Sequence, residues 1–240
     1  MKRPLFILTA LLLASCVREA KPLEIETIPI TREVSQGGVT CKVDGKYPNI
    51  KRTVFGQAIG SINSLVAKEI VGFYTADIQS CPELYLDIIE SGSTLTETTG
   101  FDYVIELNEN NLLSISHSAS HYLEGAAHPT NVLGAMTIDV DSGDKYRIWH
   151  LFGMNVPHRE YLEIIVDKKL DEEGLVSSTD VKTDFTEWVF FLRPNALVFG
   201  NLFDIHALKG VQVEIPLEDL RDIAAKNGPL MRLLEATPST

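Results

Sequence analysis

The chain has few cysteines, few basic residues and no recognisable catalytic signature. Its 240 residues contain three cysteines and two tryptophans, and 21 lysines and arginines face 33 aspartates and glutamates. A formal charge of −12 with scattered basic residues excludes a nucleic-acid partner, because neutralising phosphate requires basic clusters. No Gly-x-Ser-x-Gly, P-loop or dinucleotide fingerprint occurs. No cofactor is therefore expected. The remainder is ordinary globular composition, with 45% hydrophobic and 22% charged residues, enough for one large domain or two small ones.

The N-terminus carries the sharpest signal. Lys2 and Arg3 precede the apolar run Leu5 to Ala14, about ten residues, too short to span a bilayer and matched to a secretory signal. Leu13-Ala14-Ser15-Cys16 follows and looks like a bacterial lipobox, in which cleavage leaves Cys16 to carry lipid. Several acyl chains at about 0.8 kcal/mol per buried methylene make a stable anchor. Residues 1–15 thus read as a lipoprotein signal peptide, and losing Lys2 and Arg3 takes the formal charge from −12 to −14. Val17 in place of Asp favours the outer membrane, facing the periplasm or the surface, if the cell is Gram-negative. Export leaves Cys41 and Cys81 as a pair in an oxidising compartment. A disulfide closing a loop of about 41 residues would stabilise the fold by ~4 kcal/mol. A metal site or two free buried thiols are the alternatives.

Residues 16–36, with Pro22, Pro29 and Gly37-Gly38 beyond, read as a flexible tether. A small N-terminal α/β subdomain is expected over 37–99 and the main domain over 100–235. Val39 to Val43 reads as a strand ending at the Asp44-Gly45 turn signal. Ile59, Ile62, Leu65, Val66, Ile70, Phe73 and Tyr74 recur at helical spacing, and Leu84 to Ile89 reads as a strand. The clearest period-2 run places Leu113, Ile115, His117, Ala119, His121 and Leu123 on one face and Ser114, Ser116, Ser118, Ser120 and Tyr122 on the other. That predicts a long, half-buried strand. Gly125-Ala126-Ala127 and Pro129 then suggest a tight crossover, and Asp141-Ser-Gly-Asp144 joins two further strands. A helix starts at Pro157, with Tyr161, Leu162, Ile165, Val166 and Leu170 as its stripe, and closes at Gly174. Strands follow at Glu187 to Leu192, Leu197 to Phe203 and Val211 to Ile215, then a helix from Pro216. The class is α+β, an antiparallel sheet with about three packed helices.

Two constellations imitate metal sites. His117 and His121 lie four apart, a ligand spacing on a helix, but on a strand their Cα atoms are ~13 Å apart, too far for one zinc. Asp139-Val-Asp-Ser-Gly-Asp144 is similar to a calcium loop, yet an EF-hand would need Gly at Asp144 and Glu at His150. No metal is expected.

Tyr122-Leu-Glu-Gly-Ala-Ala-His128, Thr137-Ile-Asp-Val-Asp-Ser-Gly-Asp-Lys145, Leu151-Phe152, Leu197-Val-Phe199, Phe203-Asp-Ile205 and Gly210-Val-Gln-Val-Glu-Ile-Pro216 together resemble the domain of unknown function 3298 family. That domain forms the C-terminal part of the anti-sigma factor RsiV and accompanies the deacetylase PdaC. The pattern departs at Gly125-Ala126, where two glycines are usual, and across Val198 to Leu208. The resemblance implies a non-catalytic binding or sensing module for a cell-wall-related or cationic protein ligand such as lysozyme. Candidate ligand-binding residues are Tyr122, Glu124, His128, Asn201, Phe203, Asp204 and His206. The alternative is an envelope enzyme acting on peptidoglycan or another glycan, with residues around Glu124, His128 and Asp139 in its site.

Overall fold

The computed structural model describes residues 21–51, 58–87, 89, 92–154, 157–172, 174, 181–182, 185–204 and 208–236. The signal segment 1–15, Cys16 and His206 lie outside the described residues. Strand β1 (Ile25–Gln36) turns at Gly37 and Gly38, whose φ of +59° and +92° suit glycine, and returns as β2 (Val39–Ile50). The reading of 16–36 as a tether is thereby corrected from Ile25 onward. The pairing runs unbroken from Ile25↔Ile50 to Gln36↔Val39, and Pro29 is tolerated because β1 is the sheet's edge. The turn expected at Asp44-Gly45 is absent. Gly45 sits inside β2 because the Phe101 ring lies across it, 2.5 Å from where a Cβ would stand.

After β2 the chain forms α1 (Ile59–Val66), a π-helical stretch Ala67–Gly72 and the short α2 (Phe73–Thr75). Ile59, Ile62, Val66, Ile70 and Tyr74 are buried along one stripe, whereas Phe73, also expected inside, is 61% exposed. Among the described residues the strand expected over Leu84 to Ile89 does not form: Cys81–Leu84 is a 3-10 turn that Pro82 starts, and Leu84 points outward. The helical excursion returns the chain to the same sheet end, so β3 (Leu95–Glu109) pairs parallel with β2. Strands β4 (Leu112–Leu123) and β5 (Thr130–Asp139) add antiparallel, giving the order β1-β2-β3-β4-β5 in a mixed sheet. The expectation of a wholly antiparallel sheet fails at this one pairing. The boundary expected at 99/100 falls inside β3, so the two expected domains share one sheet.

A second, antiparallel sheet contains β6 (Val189–Arg193), β7 (Ala196–Gly200) and β8 (Val213–Pro216). Helix α3 (His158–Glu172) buries Leu162, Val166 and Leu170, as their spacing predicts, and α4 (Pro229–Ala236) closes the chain's described part. The helix expected from Pro216 is only a 3-10 turn, Leu217–Leu220. The fold is α+β with two cores. One packs α1 on the sheet through Val39, Ile62, Phe101, Leu113, Ile115 and Met136, and the other gathers Leu112, Val166, Leu197, Phe199, Val213 and Leu233. Each such fully buried side chain contributes about 1.5–3 kcal/mol.

Strand β4 belongs to both cores. Leu113, Ile115 and His117 face α1, while the serine face, expected to meet solvent, is buried at Ser114 and Ser116 beneath the second sheet. Serine is tolerated because each hydroxyl is engaged: Ser114 Oγ accepts the Leu192 amide at 2.9 Å, and Ser116 Oγ donates to Glu106 at 2.7 Å. The chain leaves β4 by a hairpin loop to antiparallel β5, not by a crossover.

Candidate functional site

The β4–β5 hairpin brings three of the predicted residues to one end of the large sheet. Gly125, at φ +86°, turns the loop, and the Ala126 amide donates to Leu123 O at 2.9 Å. Glu124 extends the β3–β4 pairing beyond its last rung: its amide donates to Thr96 O at 2.8 Å, and its Oε2 accepts the Thr96 amide at 3.0 Å. Tyr122 stands two residues earlier and is 40% exposed. His128 is exposed on the other arm, its Nδ1 3.3 Å from Pro129 O. The result is an aromatic ring, a carboxylate and an imidazole on a backbone fixed by ladder hydrogen bonds.

The second predicted segment divides. Asn201 adopts φ +56° and donates through Nδ2 to Glu187 O at 3.2 Å, and Asp204 pairs with Lys182 at 3.4 Å. Phe203 is fully buried in the second core and bridged to Val181, so it is no surface anchor. The reason is local: Lys182 N donates to Leu202 O at 2.8 Å, which folds this stretch inward.

The histidine pair is separated by the strand, as its spacing requires. His117 is buried with Nδ1 2.8 Å from Tyr74 Oη, whereas His121 Nδ1 lies 2.8 Å from Thr99 Oγ1. Burial is the main cause that lowers the His117 pKa to about 4, helped by the Lys145 charge and opposed by Glu69. Lys145 and Glu69 pair with each other at 2.7 Å. Cys41 and Cys81 form the expected disulfide, with a Cα separation of 6.3 Å, tying β2 to the turn after the helix. Glu97 reaches this bridge, and the Tyr85 hydroxyl donates to Glu97.

Asp139 closes β5 and acts as a hub. Its Oδ1 accepts the amides of Asp141 and Ser142 at 3.0 and 2.9 Å, while Oδ2 accepts Tyr146 Oη at 2.8 Å and pairs with Arg232 at 2.7 Å. Burial raises this carboxyl's pKa, but the bonds from Ser142, Tyr146 and Arg232 outweigh it and the net shift is downward. The Asp139 to Asp144 stretch is thus a tight turn, with the Gly143 amide bonded to Asp139 O at 2.8 Å, followed by a single bridge Ile138↔Lys145 in place of the further strand expected. Glu124 and His128 adjoin one end of the ten-residue β5 and Asp139 lies at the other, ~30 Å away at 3.3 Å per residue. A glycosidase pair needs carboxyls about 5–10 Å apart. These three residues therefore do not assemble the glycan-cleaving site considered from sequence.

Residues that sequence reasoning missed lie beside this hub. Trp149 follows Tyr146 and Arg147 in a 3-10 turn (Ile148–His150) and is 47% exposed. Only its position in the family-like stretch Thr137 to Phe152 could have drawn attention to it.

An α+β protein with a five-stranded mixed sheet and a three-stranded companion is the class that these observations define. No family model matches the sequence, and neither does any curated protein. Solved structures do match. A DUF3298 family member from Bacteroides fragilis superposes with a TM-score of 0.63 at 14% identity, covering 91% of this chain and 100% of its own. A DUF3298 family protein from Pseudomonas aeruginosa gives 0.56 at 12% identity, covering 88% of this chain and 97% of that one. The chain has the fold of these DUF3298 structures, the family whose motifs its sequence resembles.

Proposed function

We propose that the protein is a lipid-anchored, non-catalytic binding module of the bacterial cell envelope that receives a basic protein of the lysozyme kind at the β4–β5 hairpin. The observation that carries this reading is the hairpin end itself. Tyr122 is 40% exposed, and the backbone beside it is fixed by the doubly bonded Glu124–Thr96 contact. A tyrosine with two side-chain torsions on a rigid strand loses little entropy on binding, which is why such residues serve as interface anchors. Long-range attraction is supplied by the formal charge, −12 for the whole chain, and speeds the encounter with a cationic partner. Anchoring through Cys16 after cleavage of residues 1–15 places the module at the membrane surface.

Calorimetric titration of the chain lacking residues 1–15 with a basic lysozyme at ~150 mM salt tests the reading. A saturable, stoichiometric complex is expected. Absence of saturable heat rejects the lysozyme-type ligand.

A further inference from the structure

An exposed aromatic surface surrounds Trp149, at the opposite end of β5 from the hairpin. The indole is held in place before any ligand arrives: the Arg147 guanidinium carbon stands 5.2 Å from its ring centre, and the His150 ring meets it edge-on at 5.8 Å. His150 is itself fixed, because its Nδ1 accepts the Arg147 amide at 3.1 Å and its ring contacts Tyr146 at 6.1 Å. Despite these contacts 47% of Trp149 remains exposed. Trp149 forms part of the wall of an open cleft of about 750 Å³, which Asp144, Lys226 and Asn227 also line. That volume is in the range of small-ligand sites.

The chemistry of the lining selects among ligands. An anionic ligand would need an excess of positive charge, but of the lining lysines Lys145 is paired with Glu69 and Lys226 shares the cleft with the carboxylates of Asp139 and Asp144. An acyl chain would need walls that are apolar throughout, whereas here Tyr146, Trp149, Phe152 and Met154 share the lining with a carboxylate, an ammonium and an amide. Among the described residues the side chains of Asp144, Lys226 and Asn227 have no hydrogen-bond or ion-pair partner. One rigid aromatic platform beside uncommitted donors and acceptors suits a neutral pyranose: its axial C–H groups pack on the indole, and its hydroxyls, each donor and acceptor, bond the polar rim.

We infer that the Trp149 cleft is a binding site for a neutral pyranose oligosaccharide. The site is independent of the hairpin and its proposed protein ligand.

The test titrates the chain lacking residues 1–15 with chitotetraose and, separately, cellotetraose, reading heat and tryptophan emission together. Trp188 is 6% exposed, so a ligand-induced emission change reports on Trp149. Saturable binding of either oligosaccharide is expected, with affinity at least about tenfold weaker in both Trp149→Ala and Asn227→Ala. Asn227→Ala alters an exposed side chain, so it keeps the test valid if Trp149→Ala unfolds. Lysozyme titrations should be unchanged by Asn227→Ala, which separates failure here from failure at the hairpin. No saturation with either oligosaccharide, or binding that both variants leave intact, overturns the inference.

Discussion

Lowering the pH should destabilise the protein through one residue, His117. Its ring is buried between Tyr74 and the backbone of Gly134, where a Cβ would lie only 2.3 Å from the ring. Its pKa is about 4 in the fold against 6.5 for an ordinary histidine. The folded state thus refuses a proton that the unfolded state accepts. Stability from this group is complete above pH 6.5 and is lost as the pH falls towards about 4. At 1.36 kcal/mol per pH unit, the loss by pH 4.5 is about 2–3 kcal/mol. Urea unfolding of wild type and His117→Gln at pH 7.5 and 4.5 measures it. Glutamine preserves a partner for Tyr74 but does not titrate, so the variant should lack this part of the acid destabilisation. Carboxylates titrate in both proteins and cancel in the difference. If both proteins lose equal stability between the two pH values, His117 is not held neutral as argued.

Asp139→Asn should lower stability by about 2–3 kcal/mol at neutral pH, because it removes the charge facing partly buried Arg232, and thermal melting checks this. The lowered Asp139 pKa further implies stability lost as the pH falls below its ordinary 3.8, a window separate from that of His117, so acid titration of the two variants should differ in midpoint. Replacing Cys41 and Cys81 by serine should cost about 4 kcal/mol for the 40-residue separation, read from denaturant midpoints. Cys16→Ser should abolish lipid labelling and leave unprocessed precursor or soluble protein in fractionated cells. Unchanged labelling would reject lipidation.

Much of the architecture was legible where one physical signal acted alone. The stripe Leu162, Val166 and Leu170 formed the expected helix face, and the cysteine pair joined as compartment and number suggested. Failures occurred where a residue's neighbour in space decided its role. Gly45 carries a turn signal, but the Phe101 ring packs across it in mid-strand. The alternation of β4 implies one wet face, yet Ser114 and Ser116 are buried, Ser114 accepting the Leu192 amide of the second sheet and Ser116 donating to Glu106 of neighbouring β3. Nothing in the spacing of Glu69, Asp139, Lys145 and Arg232 announces that they pair across the fold. The hairpin candidates Tyr122, Glu124 and His128 lie at one end of the large sheet because they are near in sequence. Phe203 was misplaced because an aromatic residue in a divergent segment gives no sign of which way it points.

The proposal that the hairpin receives a basic protein is tested most directly by comparing lysozyme affinity for wild type, Tyr122→Ala and Glu124→Gln at ~50 and ~150 mM salt. A saturable complex is expected that persists at the higher salt, is weakened at least about tenfold by Tyr122→Ala and is weakened by Glu124→Gln. Binding that vanishes at the higher salt and ignores both substitutions would contradict it, because it would be capture by net charge alone.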